Sequence, residues 1–348
     1  MFRNLKMDIY GTSHDKYIGC TVSGLQVGHI INMVKVKNDL ILRQGNIDIN
    51  TARVEENNII FLQGVYKNKI IDNKISFVIE NKNINKKDYL KGVIRPGHAD
   101  YIGYKMQGLN YNYAGGGKFS GRLTTLYVIV GSICEQLLDM NVYGHIKQVG
   151  IFKDDSIKDA SLKQLNNLNN DFPMINKDIK KQAYNYIKKI KKDNDSVGGL
   201  LAFRITNPSF KMGGYDFESF ESYLSSNLFA IGAIKGINFG LGYDYITSLG
   251  SFANDSINVN NSGIITSDNN YGGGINGGFT NGYEDIIFEC IIRPTPSIFK
   301  EQKTIKLTED GFENCSLKLQ GRHDTFIANR ALYVIKAMTY ITLYDLST

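Results

Sequence analysis

A triple glycine directly before an apolar segment is the feature that most constrains how this chain can fold. Gly115, Gly116 and Gly117 precede residues 120–140, whose apolar periodicity predicts a helix. Glycine permits backbone conformations and close approaches that a Cβ would block, so peptide N–H groups there can point at anionic oxygens. A helix N-terminus also favours negative charge. The stretch from Arg95 to Thr125 therefore predicts an anion site.

Charged and titratable side chains crowd the same stretch. They are one imidazole, His98, and the cations Arg95, Lys105, Lys118 and Arg122. Catalytic histidines are a minority of all histidines. Composition alone therefore leaves two interpretations open: a site for an anionic ligand, or a flexible glycine loop beside a packed core histidine.

Length and composition exclude several classes of protein. The chain has 348 residues, enough to bury a large core in one domain or two. Its 42% hydrophobic residues exclude a disordered protein. The net charge of +6 favours anionic ligands, but the lysines are scattered through Asn-rich segments, so we expect no nucleic-acid partner. In Lys177 to Lys192, helical spacing of apolar residues predicts an amphipathic helix with a solvated lysine face.

The cysteines and the N-terminus favour a cytoplasmic setting. Cys20, Cys134, Cys290 and Cys315 are far apart and show no metal-binding spacing, so we expect no metal. Three of the four sit in apolar contexts and are expected to be core thiols. No run approaches the roughly 20 apolar residues of a membrane span, and the N-terminus lacks an apolar signal core. We therefore expect a soluble cytoplasmic protein with no membrane partner.

Strand and helix patterns alternate along the chain without an internal repeat of fixed period. Residues 153–178 are the most polar region and are expected to be a surface excursion. The expected helices are 27–42, 120–140, 177–192, 217–233 and 329–346, and the expected strands are 18–24, 58–64, 74–80, 143–152, 200–206 and 237–242.

A glycine-rich match to a dinucleotide fingerprint is rejected. Residues 272–277, GGGING, fit the pattern GxGxxG, but a strand-like segment follows where a dinucleotide fold needs a helix. A glycine turn that joins two strands, and that has room to lie under a flat ligand, fits better. Arg293 to Ser297, RPTPS, then offers a rigid turn with a cation and hydroxyls.

Two further polar clusters lie near the chain ends. Ser13 and His14 sit in a glycine-flanked turn, and Arg322, His323 and Asp324 precede an apolar helix. The first is open to interpretation as a structural turn or as a ligand-presenting turn. The second is open to interpretation as a helix cap or as part of a site.

In this order the motifs resemble the chorismate synthase family, over nearly the whole chain. GTSHDKYIGCTVSG resembles the family's GESHG opening, and RPGHADYIGYKMQGLNYNYAGGGKFSGRLT resembles its RPGHADY…GGGRSSARET signature. The segments NDSVGG, AIKGINFG, GGGINGGFTNG, RPTPSI and GRHDTFIANRA resemble its remaining motifs.

The resemblance implies an α+β fold. It is a chorismate-synthase-like βαβ sandwich, a single large domain over residues 1–348 with antiparallel sheets and helices outside, usually a homotetramer. The implied reaction is trans-1,4 elimination of phosphate from 5-enolpyruvylshikimate 3-phosphate, the last step of the shikimate pathway to aromatic precursors. It gives chorismate with loss of the C6 pro-R hydrogen and needs reduced FMN (FMNH2) without net redox change. The sequence contains no reductase module, so a separate flavin reductase, with NADPH, or a chemical reductant is expected.

The resemblance also assigns roles to residues. His14 would protonate or stabilise the leaving phosphate, His98 would manage the flavin's proton and charge, and Asp324 would assist the final hydrogen removal. The implied substrate ligands are Arg43, Arg53, Arg95, Arg122 and Arg322. The implied FMN ligands are Ser13, Lys118, Phe119, Ser120, Gly232, Ala233, Gly277, Arg293, Pro294, Thr295, Pro296, Ser297 and Arg322.

Several positions depart from the family pattern. They are Thr12 for Glu, Asp15 for Gly, Leu42 where a double Arg is common, Asp48 near a usual Arg, Lys118 for Arg, and Thr325 and Asn329 for prolines. The changes at Leu42 and Asp48 support an alternative, a flavin-binding homologue with lost or weak turnover that acts as a scaffold or regulator. Retention of His14, His98 and Asp324 favours an active enzyme.

Overall fold

The computed structural model describes residues 2–45, 48–50, 57–82, 90–168, 170–319 and 324–348. The strands are β1 (Lys6–Tyr10), β2 (Tyr17–Ser23), β3 (Ile59–Gln63), β4 (Val65–Tyr66), β5 (Lys69–Ile70), β6 (Lys74–Glu80), β7 (Asn141–Val149), β8 (Phe152–Lys153), β9 (Gly199–Thr206), β10 (Ile234–Phe239), β11 (Asn258–Val259), β12 (Ile265–Thr266), β13 (Ile275–Asn276), β14 (Phe279–Thr280), β15 (Ile286–Ile292), β16 (Gln302–Thr308) and β17 (Gly311–Leu317). The α-helices are α1 (Met33–Gln44), α2 (Asp100–Gln107), α3 (Thr124–Glu135), α4 (Leu162–Asn166), α5 (Lys177–Lys192), α6 (Phe220–Phe229), α7 (Gly250–Ala253) and α8 (Ala328–Ser347).

Two antiparallel sheets form the main β-structure. The first has the order β1-β2-β6-β3 and the second the order β10-β15-β9-β7-β8. In β6, the buried residues Ile75, Phe77 and Ile79 alternate with less buried ones, so one face of the first sheet points into the core. The large hydrophobic core contains residues from both sheets and from α1, α3 and α8.

The central helices lie between the sheets, which corrects the expectation of helices outside. Helix α8 is buried along nearly its whole length, and α3 is buried on most of its surface. The two cross so closely that a Cβ on Gly131 would come within 2.4 Å of the carbonyl oxygen of Ala337. A helix that is apolar all round must be covered on every side. The α+β class and the βαβ sandwich of antiparallel sheets are confirmed.

Helix ends differ from the sequence expectation for identifiable reasons. Helix α1 begins at Met33 rather than near residue 27, because the Asn32 side chain caps it by accepting from the amides of Val34 and Lys35. Helix α5 ends at Lys192 as expected, and Asn194, with φ of 57°, takes the left-handed conformation just beyond it. Helix α3 covers only 124–135 of the expected 120–140, and α6 only 220–229 of the expected 217–233.

The polar excursion at 153–178 is anchored to the outer face of the second sheet. Ile157 and Leu165 pack with Ala202 of β9 in a small apolar cluster of their own. Arg204 donates to the carbonyl of Ile157 and to two neighbouring carbonyls. The Asp154 carboxylate accepts two backbone N–H groups from the far end of the excursion. The segment therefore covers part of the sheet.

A small lobe carries the RPGHAD motif. Ile94, Tyr104 and Tyr111 form its buried core, against which residues of the β16–β17 hairpin pack. Backbone hydrogen bonds between 92–94 and β16 join the two parts. The start of α2 is therefore held on a rigid support, and the candidate site includes that start.

Candidate active site

The triple glycine is a defined turn in contact with two histidines. Gly115, Gly116 and Gly117 have φ of 60°, 84° and 55°, values that favour glycine. A Cβ on Gly115 would lie 2.3 Å from Cε1 of His14, and one on Gly116 would lie 3.3 Å from Cε1 of His98. The turn thus brings together two imidazoles from distant parts of the sequence, and it is not a loose linker.

A buried carboxylate anchors His98. Nδ1 of His98 lies 2.8 Å from Oδ1 of Asp100, whose residue is 2% exposed. Arg95 donates two hydrogen bonds to the same carboxylate, from Nε at 2.6 Å and from Nη2 at 2.8 Å. Burial would raise the pKa of Asp100, but hydrogen bonds from Arg95 and His98 outweigh it and hold that pKa well below its usual value. An ionised Asp100 accepts the Nδ1 proton, so His98 presents Nε2 beside Gly116.

A hydroxyl holds His14, which is also buried. The Ser13 hydroxyl donates to the carbonyl of Ala114 at 3.2 Å and lies 3.0 Å from Nδ1 of His14. Since the hydroxyl has a single proton, Nδ1 of His14 is the donor in that contact. The amide of Ser13 also donates to the carbonyl of Gly117 at 3.3 Å. Nδ1 of each histidine is therefore held by a neighbouring side chain, the Ser13 hydroxyl for His14 and the Asp100 carboxylate for His98.

Arg122 links the start of α3 to the His14 turn. Its Nε donates to Oδ1 of Asn81 at 2.9 Å, and its Nη1 donates to Oδ1 of Asn57 at 2.7 Å. The Asn81 amide then donates to the carbonyls of Thr12 and Asp15, at 3.3 and 2.8 Å. Asn81 therefore positions the predicted substrate ligand and the histidine turn together.

Arg43, near the end of α1, and Asp324, in the segment before α8, approach the same corner. Nη2 of Arg43 donates to the carbonyl of Gly121 at 2.6 Å, at the N-terminal end of α3. Asp324 pairs with Nη1 of Arg330 at 3.1 Å, and Nε of Arg330 donates to the carbonyl of Gln44 at 2.8 Å. Asp324 does not cap α8, whose N-cap Ile327 makes no side-chain cap bond. The C-terminal end of α1 and the N-terminal ends of α3 and α8 therefore converge.

The predicted flavin ligands around 293–297 lie against the RPGHAD loop. A Cβ on Gly97 would lie 2.7 Å from Nη2 of Arg293 and 3.5 Å from Cβ of Pro296. The amide of Arg293 donates to the carbonyl of Ala233 at 2.9 Å, and Ala233 has φ of 78°. The Thr295 hydroxyl is buried without a hydrogen-bond partner in the described part of the chain. These ligands therefore lie one contact away from His98.

The other predicted flavin ligands are less concentrated. Lys118 and Phe119 are exposed beside the triple glycine, and Ser120 accepts the amide of Arg122 at 3.3 Å. Gly277 lies in the β13–β14 turn, whose next residue, Gly278, accepts the amide at the start of α6. The structure thus connects Gly277 with α6. Gly232 lies next to Ala233, at the start of β10.

Two predicted ligands, Arg53 and Arg322, lie outside the described residues. Of the departures, Leu42 packs against the core, and Thr12 accepts from the Asn112 amide at 3.0 Å. Asp48 accepts from the Tyr184 hydroxyl at 3.1 Å, and Lys191 donates to its carbonyl at 2.6 Å. Two residues of α5 therefore hydrogen-bond to Asp48.

Sequence reasoning missed three residues. Asp100 follows His98 by two positions inside a quoted motif, and an acid beside a histidine and an arginine was a readable signal. Arg330 also stands in a quoted motif and was passed over. Asn81 gave no signal, because its partners are remote in the sequence.

Two kinds of feature are absent from the residues that the structure describes. No group of three or more His, Cys, Asp or Glu among them could hold a metal ion. None of their helices is long and apolar enough to cross a membrane.

Comparisons with known proteins agree with one another. The family model described as chorismate synthase matches residues 5–347. The chain is 34% identical to the chorismate synthase of Dehalococcoides mccartyi, covering 97% of this chain and 93% of the relative, and 33% identical to that of Pyrococcus abyssi, covering 99% and 96%. A crystal structure of chorismate synthase superposes with a TM-score of 0.77 at 20% identity, covering 99% of this chain and 92% of that one. The chain belongs to the chorismate synthase family of carbon–oxygen lyases.

Proposed function

We propose that the protein converts 5-enolpyruvylshikimate 3-phosphate to chorismate by trans-1,4 elimination, the last step of the shikimate pathway. The C–O bond to phosphate breaks, the C6 pro-R hydrogen is lost, and a second ring double bond forms, so the reaction is redox-neutral. Beyond family membership, one observation carries the proposal: the two imidazoles that pack on Gly115 and Gly116. Both rings pack at a glycine turn suited to anions.

His14 is the proposed acid for the leaving phosphate. Phosphate departs more readily when it is protonated or ion-paired, and an imidazole with a reference pKa near 6.5 can donate a proton close to neutral pH. The Ser13 hydroxyl fixes Nδ1 at 3.0 Å, so a proton for the phosphate would come from Nε2.

Reduced FMN is the proposed cofactor, and the residues present fit it. The buried Thr295 hydroxyl lacks a partner among the described atoms, and the cation of Arg293 lies beside Gly97. Bound FMNH2 would lend electron density transiently while the C–O bond breaks. The proposed holding residues are Ser13, Lys118, Phe119, Ser120, Gly232, Ala233, Gly277, the turn 293–297 and Arg322.

Arginines are proposed to bind the anionic groups of the substrate, a phosphate and two carboxylates. A guanidinium presents forked donors that match such groups. Arg43 and Arg122 flank the N-terminal end of α3, and Arg53 and Arg322 complete the proposed set. Arg95 is also proposed as a substrate ligand, and its guanidinium is oriented by the pairing with Asp100. Asp324 is proposed to assist the final hydrogen removal.

Anaerobic turnover of 5-enolpyruvylshikimate 3-phosphate with FMNH2 tests the proposal, with chorismate and phosphate release as readouts. The parent should produce both in equal amounts, and His98→Ala should lose roughly 10²–10⁴ of the rate, as expected for loss of an acid–base group. Binding of FMN and substrate without chorismate would contradict the proposal and favour the scaffold or regulator. Leu42, Asp48 and Lys118 would then be the residues to revert.

The assembly and the supply of electrons are also proposed. We expect a cytoplasmic homotetramer whose FMN is reduced by a separate flavin reductase using NADPH, or by a chemical reductant. A purified enzyme that needs added reductant in every turnover assay would support this arrangement. Chorismate formation with oxidised FMN and NADPH alone would contradict it.

A further inference from the structure

A side chain outside the predicted site residues connects the His14 turn to the glycine turn. Nδ2 of Asn112 donates a hydrogen bond to Oγ1 of Thr12 at 3.0 Å, across 100 residues of chain. Thr12 stands where the family has Glu, and it directly precedes Ser13 and His14. The bond therefore reaches the segment that carries the proposed acid.

The backbone of Asn112 also packs against the glycine turn. A Cβ on Gly117 would lie 2.5 Å from the carbonyl oxygen of Asn112, so a larger residue could not approach as closely. The carbonyl of Gly117 accepts the amide of Ser13 at 3.3 Å. With the side-chain bond to Thr12, these contacts close a ring. We call this ring the clamp; its members are Thr12, Ser13, Asn112 and Gly117.

Thr12 is also held from its other side. Its carbonyl accepts from Nδ2 of Asn81 at 3.3 Å and from the amide of Asp15 at 3.2 Å. Asn112 thus holds the side chain of Thr12, while Asn81 holds its backbone. Because Thr12 is fixed on two sides, the path by which the chain enters Ser13 and His14 is fixed too.

The placement of the His14 ring depends on how the two turns are joined. A Cβ on Gly115 would lie 2.3 Å from the ring, so the ring packs on the same glycine turn that the clamp holds. A shift of one turn against the other would move the ring relative to an anion bound there. A proton donor must lie within hydrogen-bond reach of its acceptor, so such a shift would lower the rate of proton transfer.

We propose that Asn112 is a positioning residue for His14 and acts through Thr12 and Gly117. The proposal rests on the proposed role of His14 as the acid for the leaving phosphate. A role in folding alone is disfavoured, because Thr12 and Asn112 are both partly exposed. A hydrogen bond that water can replace adds little net stability. The clamp therefore matters for where His14 lies more than for whether the chain folds.

A double-mutant cycle tests the side-chain bond of the clamp. Asn112→Ala and Thr12→Val remove it from either end and leave the backbone contact with Gly117 in place. Each should lower kcat about tenfold in anaerobic turnover, with KM little changed. The double variant should lose about as much as one single variant, because both changes remove the same bond. Thr12→Ser keeps the hydroxyl and should retain the parent kcat.

A second Asn–Thr pair supplies the matched control. Nδ2 of Asn227 donates to Oγ1 of Thr342 at 3.1 Å, and both residues are buried. Thr342→Val should lower stability in urea unfolding and leave kcat at the parent value. Losses that multiply in the double variant of the clamp would overturn the proposal, as would parent-like kcat in both of its single variants.

The His14 ring can also be followed without the reaction. The chain has five histidines, and labelling their Cε1 with ¹³C gives each ring an NMR signal, with His14→Gln identifying that of His14. Without substrate or flavin, Asn112→Ala and Thr12→Val should shift the His14 signal, whereas Thr342→Val should not. A parent that makes no chorismate would contradict the proposed reaction, and this spectrum would still decide on the clamp. An unchanged His14 signal in both variants would overturn it.

Discussion

The two site histidines pack on the same glycine turn but are anchored differently. His98 is held by a buried carboxylate to which Arg95 also donates, whereas Nδ1 of His14 contacts the neutral Ser13 hydroxyl. Charge-assisted hydrogen bonds are roughly twice as strong as neutral ones. The difference teaches that His98 is the more firmly oriented ring, and that removing its anchor should cost more than removing that of His14.

The surroundings of the two histidines also differ in how far along the chain their supporting groups lie. Asp100 lies two residues from His98, so that cluster depends mainly on the local lobe. The His14 turn depends on remote groups, the amide of Asn81 and the carbonyl of Ala114. The first anchor is therefore robust to changes elsewhere, and the second is sensitive to them.

Filling the glycine turn at Gly115 should displace the His14 ring and have the largest effect. In Gly115→Ala the new Cβ would lie 2.3 Å from the His14 ring, at a φ of 60° that favours glycine. We expect a loss of at least about 100-fold in kcat, because displacing an acid–base group by 1 Å costs about that much. Gly121→Ala is the matched control, since nothing lies within 4 Å of its added Cβ. Equal activity of the two variants would refute the contact.

Removing the Asn81 side chain, which links Arg122 to the His14 turn, should chiefly affect substrate binding. Asn81→Ala leaves Nε of Arg122 and two carbonyls of the His14 turn without their amide partner, a loss of about 1–3 kcal/mol. We expect KM to rise about tenfold or more in steady-state assays. Asn227→Ala removes a comparably buried amide that bonds to Thr342, and it should leave KM unchanged. A rise in both would mean a general packing effect.

Removing the Ser13 hydroxyl, the neutral partner of His14, should have a smaller effect on kcat. Ser13→Ala deletes one neutral hydrogen bond to His14 and one to Ala114, about 1 kcal/mol each at most, so kcat should fall only several-fold. Anaerobic turnover measures it. A fall as large as that of His14→Ala would show that the hydroxyl is indispensable, contrary to the comparison.

The smallest expected effect is on the pH dependence of stability, and it concerns the Asp100 carboxylate below about pH 4. The pKa of Asp100 is lowered in the folded state, so its stabilising contribution is full above the unfolded value, near 3.9, and declines as pH falls toward the folded value. The difference in unfolding free energy between the parent and Asp100→Asn should therefore be constant from pH 7 to 5 and shrink below about pH 4. Urea unfolding across this range measures it, and a difference that grows in acid would contradict the sign.

The sequence predicted local elements better than their placement. β6 and α5 were predicted to the residue because alternation and helical spacing are visible in a single sequence. The expectation that the helices lie outside the sheets was wrong for α3 and α8, although their largely apolar sequences were a signal for burial between the sheets. The glycine turn was predicted as a site feature. Its two-histidine contact, and the link through Asn81, depend on tertiary contacts that no local pattern encodes.

The most direct test compares two buried carboxylates that each hold a histidine. Asp100 holds His98 in the site, whereas Asp154 holds His145 outside the site, with Nδ1 of His145 at 3.2 Å from Oδ2 of Asp154. Burial raises the pKa of both carboxyl groups, but hydrogen bonds outweigh it, so both pKa values are lowered. Asp100→Asn and Asp154→Asn should both destabilise the fold. Only Asp100→Asn should also lower kcat, by about 100-fold or more with KM little changed, because an amide can hold the wrong tautomer of the ring. Equal kcat in the two variants would contradict the account of His98.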